Sequence, residues 1–176
     1  MTSIPTLETE RLTLRPPELA DFPTYASFYA DAVGSGDYGG PLRADQAFGV
    51  LCKDMGHWVF KGFGKWSIMR RADNTMLGGC GLVHPEGWPS HELTWWLHPD
   101  FRGQGIASEA SRAVIEFAFK TLKWPAVETH MQDENSAARK LVESLGGQIC
   151  RRDAFPDGIS RNIFAFSKIV NAEAMQ

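Results

Sequence analysis

The sequence predicts a mixed α/β domain. Period-two segments and two helical stripes share the first hundred residues, and amphipathic helical stripes then alternate with further strand-like segments. Size agrees: 176 residues, 43% hydrophobic and 22% charged, match the roughly 100 to 200 residues of one domain, and eleven Phe and six Trp can fill a core. A single domain over residues 1–176 is expected, with a C-terminal tail from about 170.

Thr9 to Arg15 alternates Leu12 and Leu14 against Arg11, Thr13 and Arg15, as a half-buried strand does, and Pro16 and Pro17 end it. Glu18 to Tyr29 spaces Leu19, Phe22, Ala26 and Phe28 as a short helix with Pro23 near its first turn. Gly34 to Pro41 is glycine-rich with little to bury, which predicts a mobile connection placed to cover a substrate. Ala47, Phe48, Leu51, Cys52, Met55, Trp58 and Val59 mark one face of a second helix. Strands are expected at Lys65 to Arg71 and Met76 to His84, joined by a turn at Ala72 to Thr75, and at His91 to His98. Ser108 to Leu122 carries a helical stripe closed by Pro125, and Ala126 to Met131 reads as a strand. Ser136 to Leu145 is a helix ended by Gly146 and Gly147, followed by a strand pair at Gln148 to Arg152 and Arg161 to Lys168.

Composition excludes several functions. No segment approaches the roughly 20 apolar residues of a membrane span. A net charge of −3 without any basic run argues against nucleic acid. The opening MTSIPTLETERLTLR lacks the apolar core of a secretion signal, and Cys52, Cys80 and Cys150 lie far apart, so a reducing, cytoplasmic setting is expected. His84, His91 and His98 recur every seven residues, a spacing that places them on no common strand face, so no metal site is expected.

Glu92 to Ala107, ELTWWLHPDFRGQGIA, runs from a strand through a proline corner and two glycines directly into a helix. Unpaired amides in a helix's first turn, bare glycine backbone and the helix dipole together make an anion site, and a pyrophosphate is its natural occupant. The dinucleotide fingerprint needs a third glycine where Ser108 stands, and no Walker A lysine motif occurs.

These residues resemble the GNAT superfamily of acyl-CoA-dependent N-acyltransferases, whose signature of Arg or Gln, two residues, Gly, one residue, Gly or Ala matches Arg102, Gly105 and Ala107. The likeness extends to the opening ETERLTLR, the WWL strand and the later DENSAARKLVESLGG, and looks most like the RimJ/RimL-like branch of ribosomal-protein alanine N-acetyltransferases. It implies one mostly antiparallel sheet of about seven strands, with about four helices and a splayed parallel pair at Glu92 to His98 and Ala126 to Met131. It implies acetyl-CoA as co-substrate and no metal. Backbone groups of Trp96, Leu97 and His98 would hold the pantetheine arm and polarise the thioester. The pyrophosphate would lie over the amides of Arg102, Gly103, Gln104, Gly105, Ile106, Ala107 and Ser108. Asn135 matches the family asparagine at the cofactor and also suits a helix N-cap. Lys140 could reach a CoA phosphate or lie on a solvated helix face.

Acetyl transfer needs a neutral amine, a polarised carbonyl and a proton for the thiolate. Glu92 matches a family glutamate and is the expected base, with His91 on the opposite strand face as the weaker alternative. Ala138 stands where the branch often has serine, and no tyrosine follows the motif, which leaves the thiolate to water or to unassisted departure. Trp95 and Trp96 must face opposite ways, and Cys80 and Cys150 read as small buried thiols. The acceptor is a primary amine, on a protein N-terminus or a small molecule, and a homodimer stays open. A CoA-binding sensor without turnover is the alternative function.

Overall fold

The computed structural model describes residues 3–167, so the expected strand end at Lys168 and the tail from 170 lie outside the described residues. In chain order the elements are β1 (Leu7–Glu8), β2 (Leu12–Arg15), α1 (Phe22–Ala30), α2 (Ala32–Ser35), α3 (Ala44–Lys61), β3 (Lys65–Arg70), β4 (Met76–Val83) and β5 (Glu92–Leu97). They continue with α4 (Ile106–Lys120), β6 (Ala126–His130), α5 (Ser136–Ser144), β7 (Gln148–Ala154) and β8 (Ser160–Ser167). Five strands form one sheet in the order β1-β2-β3-β4-β5, and three form another in the order β6-β8-β7. The mixed, mostly antiparallel architecture is the expected one, divided between β5 and β6 into two ladders. An additional short strand, β1, and an additional short helix, α2, exceed the expected seven strands and four helices.

The chain forms two compact units, Met1–Gly81 with Trp95–Ala113, and Leu82–Thr94 with Val114–Gln176. In the first, the alternation of β2 buries Leu12 and Leu14 completely, with Leu14 paired to Ile68 across β3. Tyr25, Phe28 and Tyr29 of α1 and Ala47 and Leu51 of α3 close over Met69, Met76 and Trp96. The Trp96 ring stacks on Phe28 at 4.5 Å, while Trp95 stays half-buried. Glycine in β4 makes this possible: a Cβ on Gly78 would lie 2.1 Å from Trp96 O, and one on Gly79 would lie 2.6 Å from Trp96 Nε1. Two buried carboxylates in the same unit are matched. Asp21 accepts from Arg15, from Ser67 Oγ and from the Glu18 amide, and Asp54 takes Tyr25 Oη and Lys65 Nζ.

Gly34 to Pro41 carries more regular local structure than its composition suggests. Asp31 accepts from the Val33 amide and opens α2, Ser35 Oγ donates to Asp31 O, and Gly34 and Ser35 are buried. Local side-chain bonds supply the order that apolar burial would otherwise provide.

In the second unit β8 lies between β6 and β7, and Val127, Val142 and Phe166 are fully buried. A Cβ on Gly147 would meet Val142 Cγ1 at 2.5 Å, so the end of α5 packs closely against β8 through glycine. Register shifts between Ile149 and Arg151, leaving Cys150 as the bulged residue. That bulge breaks the period-two alternation and exposes Cys150, which sequence pattern places in the interior.

Candidate active site

The glycine loop sits in the first unit, ahead of α4. Gly103 and Gly105 adopt φ of 73° and 74°, conformations that favour glycine. A Cβ at Gly103 would meet nothing within 4 Å, and one at Gly105 would meet only Arg11 Nη2, at 3.4 Å. The bond from Glu109 N–H to Gly105 O leads into α4, and helix geometry leaves the amides just before it without intrahelical acceptors. An exposed, bare backbone with forward-pointing amides fits a diphosphate. Arg11 fixes the loop by donating from Nη1 to Gln104 O at 3.0 Å and from Nε to Glu109 Oε2 at 2.6 Å. Burial raises the Glu109 carboxyl, but Thr9 and Arg11 outweigh it and hold the group below the usual carboxylate range.

Arg102 departs from expectation. Its amide donates to Pro99 O, and its guanidinium spans Leu97 O at 3.2 Å and Gly34 O at 2.7 Å. It serves to fix the loop, and the amide expected to face the anion is already committed. The His98 amide likewise donates to Leu77 O, and its ring contacts Ser27 Oγ at 3.3 Å. With His98 N–H facing β4, the pleat turns the Leu97 N–H to the other edge of β5. Trp96 contributes its side chain to the core, with Nε1 buried and unpartnered.

Glu92 opens β5 in the second unit. Its Oε2 contacts Nε2 of His130, the last residue of β6, and each side chain is 15% exposed. The His130 ring lies parallel to Trp88 at 5.3 Å and against Phe155 at 4.2 Å. Arg161 covers the Phe155 ring at 4.8 Å and pairs with Asp157. Two bonds hold β5 and β6 level, Thr129 Oγ1 to Leu93 O at 2.8 Å and His91 Nε2 with Ala126 O at 3.2 Å. His91 is therefore committed to a carbonyl and to the Trp124 ring at 3.9 Å, on the other side of the strand from the Glu92 contact. Burial pushes its pKa down against the pull of that carbonyl.

Asn135, in the second unit, is the N-cap of α5 and accepts from the Ala138 amide at 3.0 Å. Lys140 stands exposed on α5. The expected residues thus divide: Trp96 to Ser108 build the loop and the end of β5 in the first unit, and Glu92, Asn135 and Lys140 belong to the second.

Residues 11–148 match the family described as the acetyltransferase (GNAT) domain, a span containing Arg11, Glu92, the glycine loop and Asn135. The chain belongs to the GNAT acetyltransferase family. The crystal structure of an acetyltransferase from Agrobacterium tumefaciens str. C58 is 34% identical, with a TM-score of 0.86 over 96% of this chain and 97% of that one. The apo structure of RimL, a ribosomal L7/L12 α-N-protein acetyltransferase, shares the GNAT fold at a TM-score of 0.76 over 93% and 94% of the two chains, with 14% identity. Among curated proteins, the Bacillus subtilis uncharacterized N-acetyltransferase YnaD is 25% identical over 91 residues, and the chain spans about half (52%) of its length. The uncharacterized N-acetyltransferase p20 of Bacillus licheniformis is 28% identical over 150 residues, 81% of this chain and 82% of that protein.

Two residues of this GNAT chain escaped the sequence reading. Arg11 was visible only as part of ETERLTLR, and nothing local connects it to a helix about a hundred residues later. His130 closes a strand of no special composition; the usable signal was a titratable residue on the strand after the motif helix, matched to a candidate base on the strand before it.

Proposed function

We propose that the chain is a single-domain, cytoplasmic GNAT enzyme of the RimJ/RimL-like branch that moves an acetyl group from acetyl-CoA to a primary amine by direct attack, without a metal. The observation that supports this most is the glycine loop, whose open, positive-φ backbone ahead of α4 suits a diphosphate. In this reading the amides from Gly103 to Ser108 hold the pyrophosphate, Asn135 and Lys140 add contacts to the cofactor, and Arg11 keeps the loop in shape.

Acetyl-CoA supplies the activated acyl carbon. The Leu97 N–H, turned to the free edge of β5, hydrogen-bonds the acyl oxygen and stabilises the negative charge that develops there. Glu92 takes the proton lost by the amine as its lone pair attacks, the C–N bond forms and the C–S bond breaks. The CoA thiolate departs unassisted or takes its proton from water. The acceptor is an amine on a protein N-terminus or a small molecule.

Thiol release with acetyl-CoA across polyamines, aromatic amines, amino acids and alanine- or serine-initiated peptides tests the reading. Turnover with one class, reduced at least tenfold in kcat by Glu92→Gln, is expected. Binding of acetyl-CoA without turnover on any of them would indicate a sensor, and an unchanged rate in Glu92→Gln would remove the base assignment.

A further inference from the structure

We propose that Arg11 is a ligand of the cofactor as well as a brace for the loop: its guanidinium Nη2 donates to an oxygen of the diphosphate lying over Gly105. The anion is then met by a cation in addition to backbone amides. This rests on the glycine loop being the diphosphate site.

Arg11 stands between β1 and β2, and its side chain reaches the loop within the same compact unit. Nε donates to Glu109 Oε2 at 2.6 Å and Nη1 to Gln104 O at 3.0 Å. Those two bonds fix the plane of the guanidinium and leave the donors of Nη2 for a ligand. Nη2 lies 3.4 Å from the place a Cβ on Gly105 would take, a place otherwise open. A phosphate oxygen resting there on the bare backbone comes to about hydrogen-bond distance of Nη2, in the charge-assisted geometry that arginine makes with phosphate. The Glu109 carboxylate is a like charge to the diphosphate, but three donors already occupy its oxygens. Thr9 Oγ1 donates at 2.6 Å and the Arg11 amide at 2.9 Å, beside Nε. The Arg11 side chain is 48% exposed and so open to a ligand arriving from solvent. Its long stem is ordered beforehand by the two bonds, which leaves little rotamer freedom to lose on binding.

Calorimetry with acetyl-CoA reads this contact without turnover. Arg11→Gln should weaken binding about tenfold or more at low salt. The deficit should shrink as NaCl rises from about 0.05 to about 0.5 M, because a charge pair is screened by salt and the shape of a loop is not. Arg11→Lys keeps the cation but loses the planar fork that bonds Glu109 and Gln104 O together, so it should recover most of the affinity. A residue that only braced the loop would fail as badly with Lys as with Gln. With 3′-dephospho-CoA in place of acetyl-CoA the deficit of Arg11→Gln should be the same, because the contact is to the diphosphate and not to the ribose phosphate. Both variants retain the residue-11 amide bond to Glu109, and thermal midpoints check that they fold. Wild-type affinity in a folded Arg11→Gln, a deficit that salt does not change, a Lys variant as weak as the Gln variant, or a deficit lost with 3′-dephospho-CoA would each overturn the proposal. Gly105→Val tells this failure from that of the underlying reading. If it binds acetyl-CoA as tightly as wild type, the loop is not the cofactor site; if it binds weakly while Arg11→Gln binds normally, only the Arg11 contact falls.

Discussion

Asp21 shows how much a single buried carboxylate can carry. It is 2% exposed and receives Arg15 through two guanidinium nitrogens, at 2.6 and 2.9 Å, together with Ser67 Oγ at 2.6 Å and the Glu18 amide at 2.9 Å. Burial pushes the carboxyl up, and those donors outweigh it, leaving the group below its ordinary range. Removing the charge strands Arg15, which is itself largely covered, and forces an amide N–H toward a cluster of donors. Asp21→Asn should therefore cost about 3 kcal/mol, the range found when one member of a buried pair is lost. Urea unfolding at pH 7 measures it, and a midpoint equal to wild type would show that the network contributes nothing net. Ser67→Ala, which removes one neutral donor, should cost about 1 kcal/mol.

At the scale of elements, the loop before α4 gives the sharpest test. Gly105 has φ of 74°, and a side chain there would stand over the amide face in contact with nothing closer than Arg11 Nη2 at 3.4 Å. Gly105→Val should fold with a penalty of about 1 to 2 kcal/mol for the left-handed backbone. It should also raise the acetyl-CoA KM at least tenfold by covering the proposed diphosphate site. Thiol-release kinetics and a thermal midpoint separate the two effects, and an unchanged KM in a folded variant would move the cofactor elsewhere. The same loop was legible in sequence because its signals are local: two glycines, a proline corner and the stripe of α4 lie within one window. Strands such as β2 and β4 were legible for the same reason. What escaped was long-range or exceptional. Arg102 donates to Gly34 O across 68 positions, which orders a segment that composition marks as loose. Cys150 sits at a bulge, where period-two logic fails. His130 gains meaning only from Glu92, 38 positions earlier in the chain, because pairing across strands is set by the fold and not by neighbours in sequence.

Summed over the chain, these groups set the pH range in which the protein is most stable. Asp21, Glu109 and Glu128 have folded pKa values held below their ordinary ones by guanidinium, hydroxyl and amide partners. Such groups stabilise the fold above about pH 4 and lose that contribution as pH falls further, because the unfolded chain binds protons more readily. His91 acts in the same direction at higher pH. Burial lowers its pKa, so the unfolded state takes up a proton first, and stability declines as pH falls below about 6.5. On the alkaline side the sign reverses. Burial pushes the Cys80 thiol and the Tyr38 phenol each up to about 12, so the folded chain retains protons that the unfolded chain gives up from about pH 8.5 for the thiol. Stability should then be greatest between about pH 6.5 and 8.5, decline gently toward pH 5 and fall steeply below about pH 4. Urea midpoints measured from pH 3 to 10 trace this curve. His91→Phe, which keeps a ring against Trp124, should flatten the stretch between about pH 6.5 and 5 and leave the steep acid limb in place. A wild-type midpoint that does not change between pH 8 and 5, or a His91→Phe curve of unaltered slope there, would mean that His91 takes up its proton as easily in the folded chain as in the unfolded one.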